Sequence, residues 1–163
     1  MLAFSYNYSG QLGLGDNNNR NKPTLLMKYL SIQQMACGEL HTLILKESGE
    51  LLAFGHNHDR QLGLCDNDNR NIPTLVMTNS SIHQIICGWL HFFIFFKSGK
   101  LFAFGNCHFR ELGFGNNINR NKRILLMTDN NIILINEQKN KTGSTKKEIK
   151  SFYWFVTIIS LLF

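Results

Sequence analysis

The chain has 163 residues, 44% of them hydrophobic, with 13 Phe and 13 Gly, which is enough apolar material for one ordinary core and too much for wholesale disorder. Its formal charge of +6 is spread along the chain: residues 1–136 carry 12 Lys and Arg against 9 Asp and Glu, and residues 137–163 carry 5 against 2. Such a small surplus over the long body does not announce a nucleic-acid surface.

The first residues, MLAFSYN, hold no basic stretch followed by an apolar one, and so predict no secretory signal. They align instead with LLAFGHN at 51–57, so the chain is expected to begin inside a repeat. Cys37, Cys65, Cys87 and Cys107 stand without CxxC spacing, which predicts reduced thiols and an intracellular setting, cytoplasm or nucleus, rather than a disulfide framework. The abundance of Asn, Ile, Lys and Phe reads as an AT-rich genome, since all four have AT-rich codons.

After the opening segment comes a glycine-punctuated phrase, FSYNYSGQLGLG, that returns as FGHNHDRQLGLC and again as FGNCHFRELGFG. Offset by fifty residues, 17 of 27 positions match between 1–27 and 51–77, and 14 of 27 between 51–77 and 101–127. This is a true internal repeat. Ten positions hold one residue in all three copies: the Ala-Phe pair, the Leu-Gly pair, the N-x-NRN run, and a Leu and Met after it.

Strand signals fill the unit. The first copy runs through LHTLILK, the turn ESGE and LLAFGHN; the second through IPTLVM, IHQIICG, LHFFIFF and KLFAFGN, with Lys97-Ser98-Gly99-Lys100 as a tight hairpin turn. Thr42, Ile44 and Lys46 alternate with Leu43 and Leu45 as in a strand. Phe92 through Phe96 are apolar on both faces, which suits a strand sandwiched between two sheets. Four short strands per repeat, ending in KLFAFGN, predict an all-β fold. It is a partial β-propeller of four-stranded antiparallel blades with a 50-residue period, and the glycine-rich phrase leads from one blade to the next. Residues 1–136 would then hold the last strand of one blade, two full units and part of a third, and 137–163 would form a basic, then apolar, tail.

Gly10–Asp16 (GQLGLGD), Asn19–Thr24 (NRxxPT), Ile32–Thr42 (IxQxxCGxxHT) and Ser48–Asn57 (SGEL, AFGxN) together resemble the regulator of chromosome condensation repeat, a seven-bladed β-propeller family. The resemblance covers residues 2 to about 135. It fades in the third copy, where Pro73-Thr74 becomes Arg123-Ile124. It implies a menu of roles: guanine-nucleotide exchange on a small GTPase, chromatin binding, or a substrate-binding module attached to ubiquitin ligases. The founding member's exchange activity depends on a wedge inserted in one blade, and no insertion interrupts the period here.

The glycine phrase is neither a P-loop nor a dinucleotide fingerprint, because the spacing and the following helix are both absent. Gly13, Gly63 and Gly113 read as backbone positions where a side chain would clash or φ is positive. His41 and His91, each four residues after Cys37 and Cys87, lie on separate sheets about 10 Å apart, too far for one zinc ion. Each His is expected to make a hydrogen bond within its blade, and each Cys to be a small buried hydrophobe. His56, His58, Cys107 and His108 read as drift at variable loop positions. No arrangement for acid/base or nucleophilic catalysis recurs, so the chain reads as no enzyme, with no metal, cofactor or small-molecule substrate. Arg20, Arg70 and Arg120 read as loop anchors, donating to carbonyls or to an acid such as Asp16 or Asp66.

Recognition is expected in what varies between repeats: Tyr6, Tyr8 and Ser9; His56, His58 and Asp59; Asn106, His108 and Phe109. As a helix the tail SFYWFVTIISLLF would reach only about 20 Å, short of a ~30 Å hydrocarbon core, so a membrane anchor is not expected. Interfacial contact, an added strand and translation out of frame are the readings of this tail, and the abrupt end of the match favours the last. The whole therefore reads as a non-catalytic interaction fragment, degenerate toward its end, with an unknown protein partner and open blade faces prone to self-association.

Overall fold

A computed structural model describes residues 1–26, 31–105 and 120–127, the last segment by its backbone. The described residues form strands and loops: β1 (Leu2–Ser5), β2 (Arg20–Leu25), β3 (Ile32–Cys37), β4 (His41–Lys46), β5 (Glu50–Gly55), β6 (Arg70–Thr78), β7 (Ile82–Cys87), β8 (His91–Phe96), β9 (Leu101–Gly105) and β10 (Arg120–Met127). They pair into a two-stranded sheet, β1-β2, and two four-stranded sheets, β3-β4-β5-β6 and β7-β8-β9-β10, every pairing antiparallel. The chain is all-β and forms part of a β-propeller.

Sequence order had suggested that IPTLVM opens a blade. In the structure β6, which contains it, pairs with β5 before it, Leu52 opposite Leu75 and Gly55 opposite Arg70. The glycine-rich phrase therefore lies inside a sheet, as the loop from β5 to β6. The chain crosses to the next sheet at Asn79–Ser81, where the backbone N–H of Asn79 donates to Gly49 O at 2.8 Å. As the outermost strand β6 tolerates Pro73, because an edge strand can do without one ladder donor.

Alternation decides which sheet each residue touches. Leu43, Leu45, Leu51, Ala53 and Leu62 join Phe92, Ile94 and Phe104 in one cluster between the two four-stranded sheets. Ile44, Leu52 and Phe54, one residue out of phase, pack with Met1, Leu26 and Ile32 on the side of the two-stranded sheet. β4 is thus buried on both faces. Phe92 and Phe104 stack with ring centroids 4.5 Å apart and planes 6° from parallel, at the centre of the larger cluster. Burying one such ring is worth about 2–3 kcal/mol.

A polar clamp joins the sheets at their inner edge. Gln34 Nε2 donates to Ile85 O at 2.8 Å, and Gln34 Oε1 accepts from the Ile85 N–H at 2.8 Å. One side chain thereby satisfies both backbone groups of a residue in the neighbouring edge strand.

Candidate functional site

Two equivalent loops, residues 6–19 and 56–69, connect β1 to β2 and β5 to β6, and each is built around one fully buried asparagine. Asn57 donates from its backbone N–H to Asn69 Oδ1 at 2.8 Å and from Nδ2 to Asp66 O at 3.0 Å and Asp66 Oδ1 at 2.9 Å. Its Oδ1 accepts from the Leu62 N–H at 2.9 Å. Asn7 repeats the pattern with Asn19, Asp16 and Leu12. The bond to Asn69 draws the two ends of the loop together, which is what brings β6 back beside β5.

Arg70 Nη2 pairs with Asp66 Oδ2 at 2.6 Å and Nη1 donates to Asp68 O at 2.8 Å; Arg20 does the same with Asp16 and Asn18. The Arg20 guanidinium, helped by the Asn18 N–H, holds the Asp16 carboxyl below its usual range. Both guanidinium groups are thus engaged within their own loops. Arg120 lies in β10 and Gly113 outside the described residues.

Each loop rests on the following sheet. A Cβ on Gly13 would lie 2.8 Å from Phe54 Cε2, and one on Gly63 2.8 Å from Phe104 Cδ1. Both glycines also have positive φ, +69° and +67°. Thr42 Oγ1 adds a bond to Gln11 O at 2.9 Å.

On this frame stand the variable side chains. The Tyr6 and Tyr8 rings stack with centroids 6.1 Å apart, and both are largely exposed, at 67% and 72%. At the same places in the next loop the His56 and His58 rings lie 4.7 Å apart. His58 is exposed and Asp59 half-buried. Gln61 Nε2 donates to His56 Nδ1 at 2.7 Å, while Gln61 Oε1 accepts from the Asp59 N–H at 3.0 Å. Partial burial, and then the neighbouring His58, push the His56 pKa down. Ser9 is buried, its N–H bound to Gln11 Oε1 at 3.0 Å, so it does not share the exposed tip. Asn106, Cys107, His108 and Phe109 fall outside the described residues.

Two readings of the inner-edge residues need correction. His41 makes no hydrogen bond within its blade: both ring nitrogens are buried without a partner among the described residues. Its ring takes the space over Gly38, where a Cβ would meet ring atoms, and burial lowers its pKa to about 4. His91 sits over Gly88 in the same way, also at about 4. Cys37 is exposed rather than buried, whereas Cys87 is partly buried against the larger cluster and burial raises its pKa. The difference follows position: β7 has the preceding sheet beside it, and among the described residues β3 has only the two-stranded sheet on that side. Among the described residues no group of three or more His, Cys, Asp or Glu could hold a metal ion. No helix there is long and apolar enough to cross a membrane.

By sequence Asn57 enters only as the last residue of the AFGxN motif, and neither Asn7 nor Asn57 carries a role; their constancy within A-F-x-x-N of the first two copies was the available signal.

The fold and its loops agree with what the chain resembles. The model of the regulator of chromosome condensation (RCC1) repeat matches residues 6–45 and 48–95, and a second model of the same description matches 32–61. Human WBSCR16 is similar in structure, with a TM-score of 0.62 and 21% identity over 74% of this chain and 33% of that one. Yeast RCC1 (Prp20), in a complex with Kap60, gives 0.67 at 18% identity over 80% of this chain and 33% of that one. Prp20p of Saccharomyces cerevisiae, described with its binding properties to Gsp1p and histones, gives 0.65 at 18% identity over 80% and 34%. The chain spans about a third of the length of these structures. With the repeat model covering more than half of its residues, the chain belongs to the regulator of chromosome condensation (RCC1) repeat family.

Proposed function

We propose that this chain is a non-catalytic protein-interaction scaffold whose partner reads the loop tips: Tyr6 and Tyr8 on one loop, His56, His58 and Asp59 on the next. One observation carries the reading. The same buried asparagine frame holds an exposed, ring-paired tip in two successive loops. Rigid aromatic groups on a preorganised loop bind a protein surface at low entropic cost. In sequence, Asn106, His108 and Phe109 hold the corresponding positions of the third repeat and are proposed for the same role. We assign the work to the inside of the cell, in cytoplasm or nucleus, and expect neither cofactor nor small-molecule substrate.

The test is cross-linking and mass spectrometry in cells of origin, comparing the chain with a Tyr6→Ala/Tyr8→Ala/His58→Ala variant that keeps its β-sheet circular dichroism. Loss of a defined partner set with the fold intact supports the reading; an unchanged set refutes it.

A second reading has its own motive, because Prp20p is described with Gsp1p and histones. Exchange activity predicts faster nucleotide release from a small GTPase on adding the chain. Chromatin binding predicts affinity that falls steeply with salt. A flat result in both assays leaves the scaffold reading alone, and a substrate-binding role beside a ubiquitin ligase is then one form of it.

A further inference from the structure

The turn from β4 to β5 and the turn from β8 to β9 share one backbone and carry opposite charge. Glu47-Ser48-Gly49-Glu50 in the first becomes Lys97-Ser98-Gly99-Lys100 in the second. The Gly49 N–H donates to Lys46 O and the Gly99 N–H to Phe96 O, each at 2.9 Å, and the two glycines stand at φ +83° and +74°. The side chains differ. In the first turn Glu50 Oε2 accepts from Lys46 Nζ at 2.9 Å and from Ser48 Oγ at 3.0 Å, so the acid is met within the turn. In the second, Phe96 stands for Lys46, Lys97 for Glu47 and Lys100 for Glu50. The serine is kept, and the carboxylate it served is gone. Among the described residues no acid pairs with Lys97 or Lys100.

A cleft opens beside the second turn, lined by Asn79 and Ser81 of the crossing segment, the rings of Phe96 and Phe102, and the turn itself. The two rings meet edge to face with centroids 5.3 Å apart. Lys97 Nζ donates to Ser80 O at 3.2 Å, which ties one ammonium group to the crossing segment. The described walls all come from the second four-stranded sheet and the segment that enters it.

We propose that this cleft binds an acidic protein segment, one carboxylate of which is gripped by the Ser98 hydroxyl and the two ammonium groups. The partner thereby supplies the acid that the first turn carries in itself. Hydrogen bonds between ionised groups are the strong ones, and two cations with no acid beside them favour an anion over a neutral ligand. The turn lies at the opposite end of the strands from the 56–69 loop, so this site stands whether or not the loop tips bind.

Titration of the full chain with an acetylated hexapeptide of glutamate, followed by amide NMR, tests this. We expect the Ser98, Gly99 and Lys100 amides to shift with a dissociation constant of about 0.1 mM. Lys97→Gln/Lys100→Gln should weaken binding about tenfold or more, with circular dichroism unchanged because both side chains are exposed. Lys22→Gln, on the outer strand β2, should leave binding as it is. No shift at millimolar peptide overturns the proposal, as do equal shifts from a glutamine hexapeptide at the same ionic strength or equal loss from Lys22→Gln. Asp129 stands in the third copy where Asn79 stands in the second. Binding that appears only in Asp129→Asn would assign the cleft to the chain's own acid, and overturns it too.

Discussion

The ring of Phe54 occupies the space that a side chain on Gly13 would need, with Cε2 2.8 Å from the place of the missing Cβ. Gly13→Ala must therefore displace a buried ring and hold an alanine at φ +69°. Together these cost about 2–4 kcal/mol. We expect a lower urea midpoint with unchanged slope, and the same from Gly63→Ala through Phe104. Gly15→Ala, with only Ile72 Cγ2 near it at 3.9 Å, should show the φ penalty alone. Equal effects at Gly13 and Gly15 would refute the close-approach argument.

Asn57 holds four bonds from a buried position, so Asn57→Ala leaves the Leu62 N–H and the carbonyl of Asp66 without their partner. The expected loss is about 2–4 kcal/mol. Hydrogen exchange should locate it: faster exchange at Leu62 and through residues 58–69, with β4 slowed as before. Protection unchanged at Leu62 would contradict the hub.

How far the sequence disclosed this arrangement can be judged on such residues. The fifty-residue period and the alternation in HTLILK were enough for strands, sheets and the family. The loop glycines were identified by their recurrence. What remained hidden depends on three-dimensional closure. Whether Arg70–Thr78 joins the strand before it or after it is decided by Asn57 and Asn69 meeting across the loop, and neighbouring runs in sequence do not express that bond. Ser9 looked like part of an exposed tip because its column varies, but its N–H is claimed by Gln11 and the residue is buried. His41 looked like a hydrogen-bonding residue by its chemistry; only the bare Gly38 beneath its ring shows that packing governs it.

Cys65 holds φ +67°, where the equivalent Gly15 stands at +88°. A non-glycine residue there is strained by about 1 kcal/mol. Cys65→Gly should raise the melting temperature by a few degrees, a shift on the order of 0.5–1 kcal/mol. A lower melting temperature would show that the thiol side chain is held by something the backbone angle does not reveal.

Acid should loosen the fold before the carboxylates titrate. His41 and His91 both have folded-state pKa values near 4, below the ordinary 6.5, chiefly through burial. Protonation then favours the unfolded chain, so their contribution is whole above pH 6.5 and is lost as pH falls toward 4. Each accounts for roughly 3 kcal/mol by the proton linkage. Denaturation midpoints measured from pH 7 to pH 4 should fall across that window, and His41→Phe should flatten the slope. A flat profile in the parent chain would refute the assignment. Asp16 and Glu50, lowered by Arg20 and Lys46 respectively, act in the same direction, their stabilisation being lost only at still lower pH.

The way each loop belongs to one sheet while leaning on the next gives damage a route. Loosening the frame around Asn7 uncovers Phe54, and loosening the frame around Asn57 uncovers Phe104, but a lesion in the second four-stranded sheet leaves the Gly13 loop on its support. Faults therefore pass between adjoining sheets through these loop-and-ring contacts, and reach a sheet two steps away only by way of the one between.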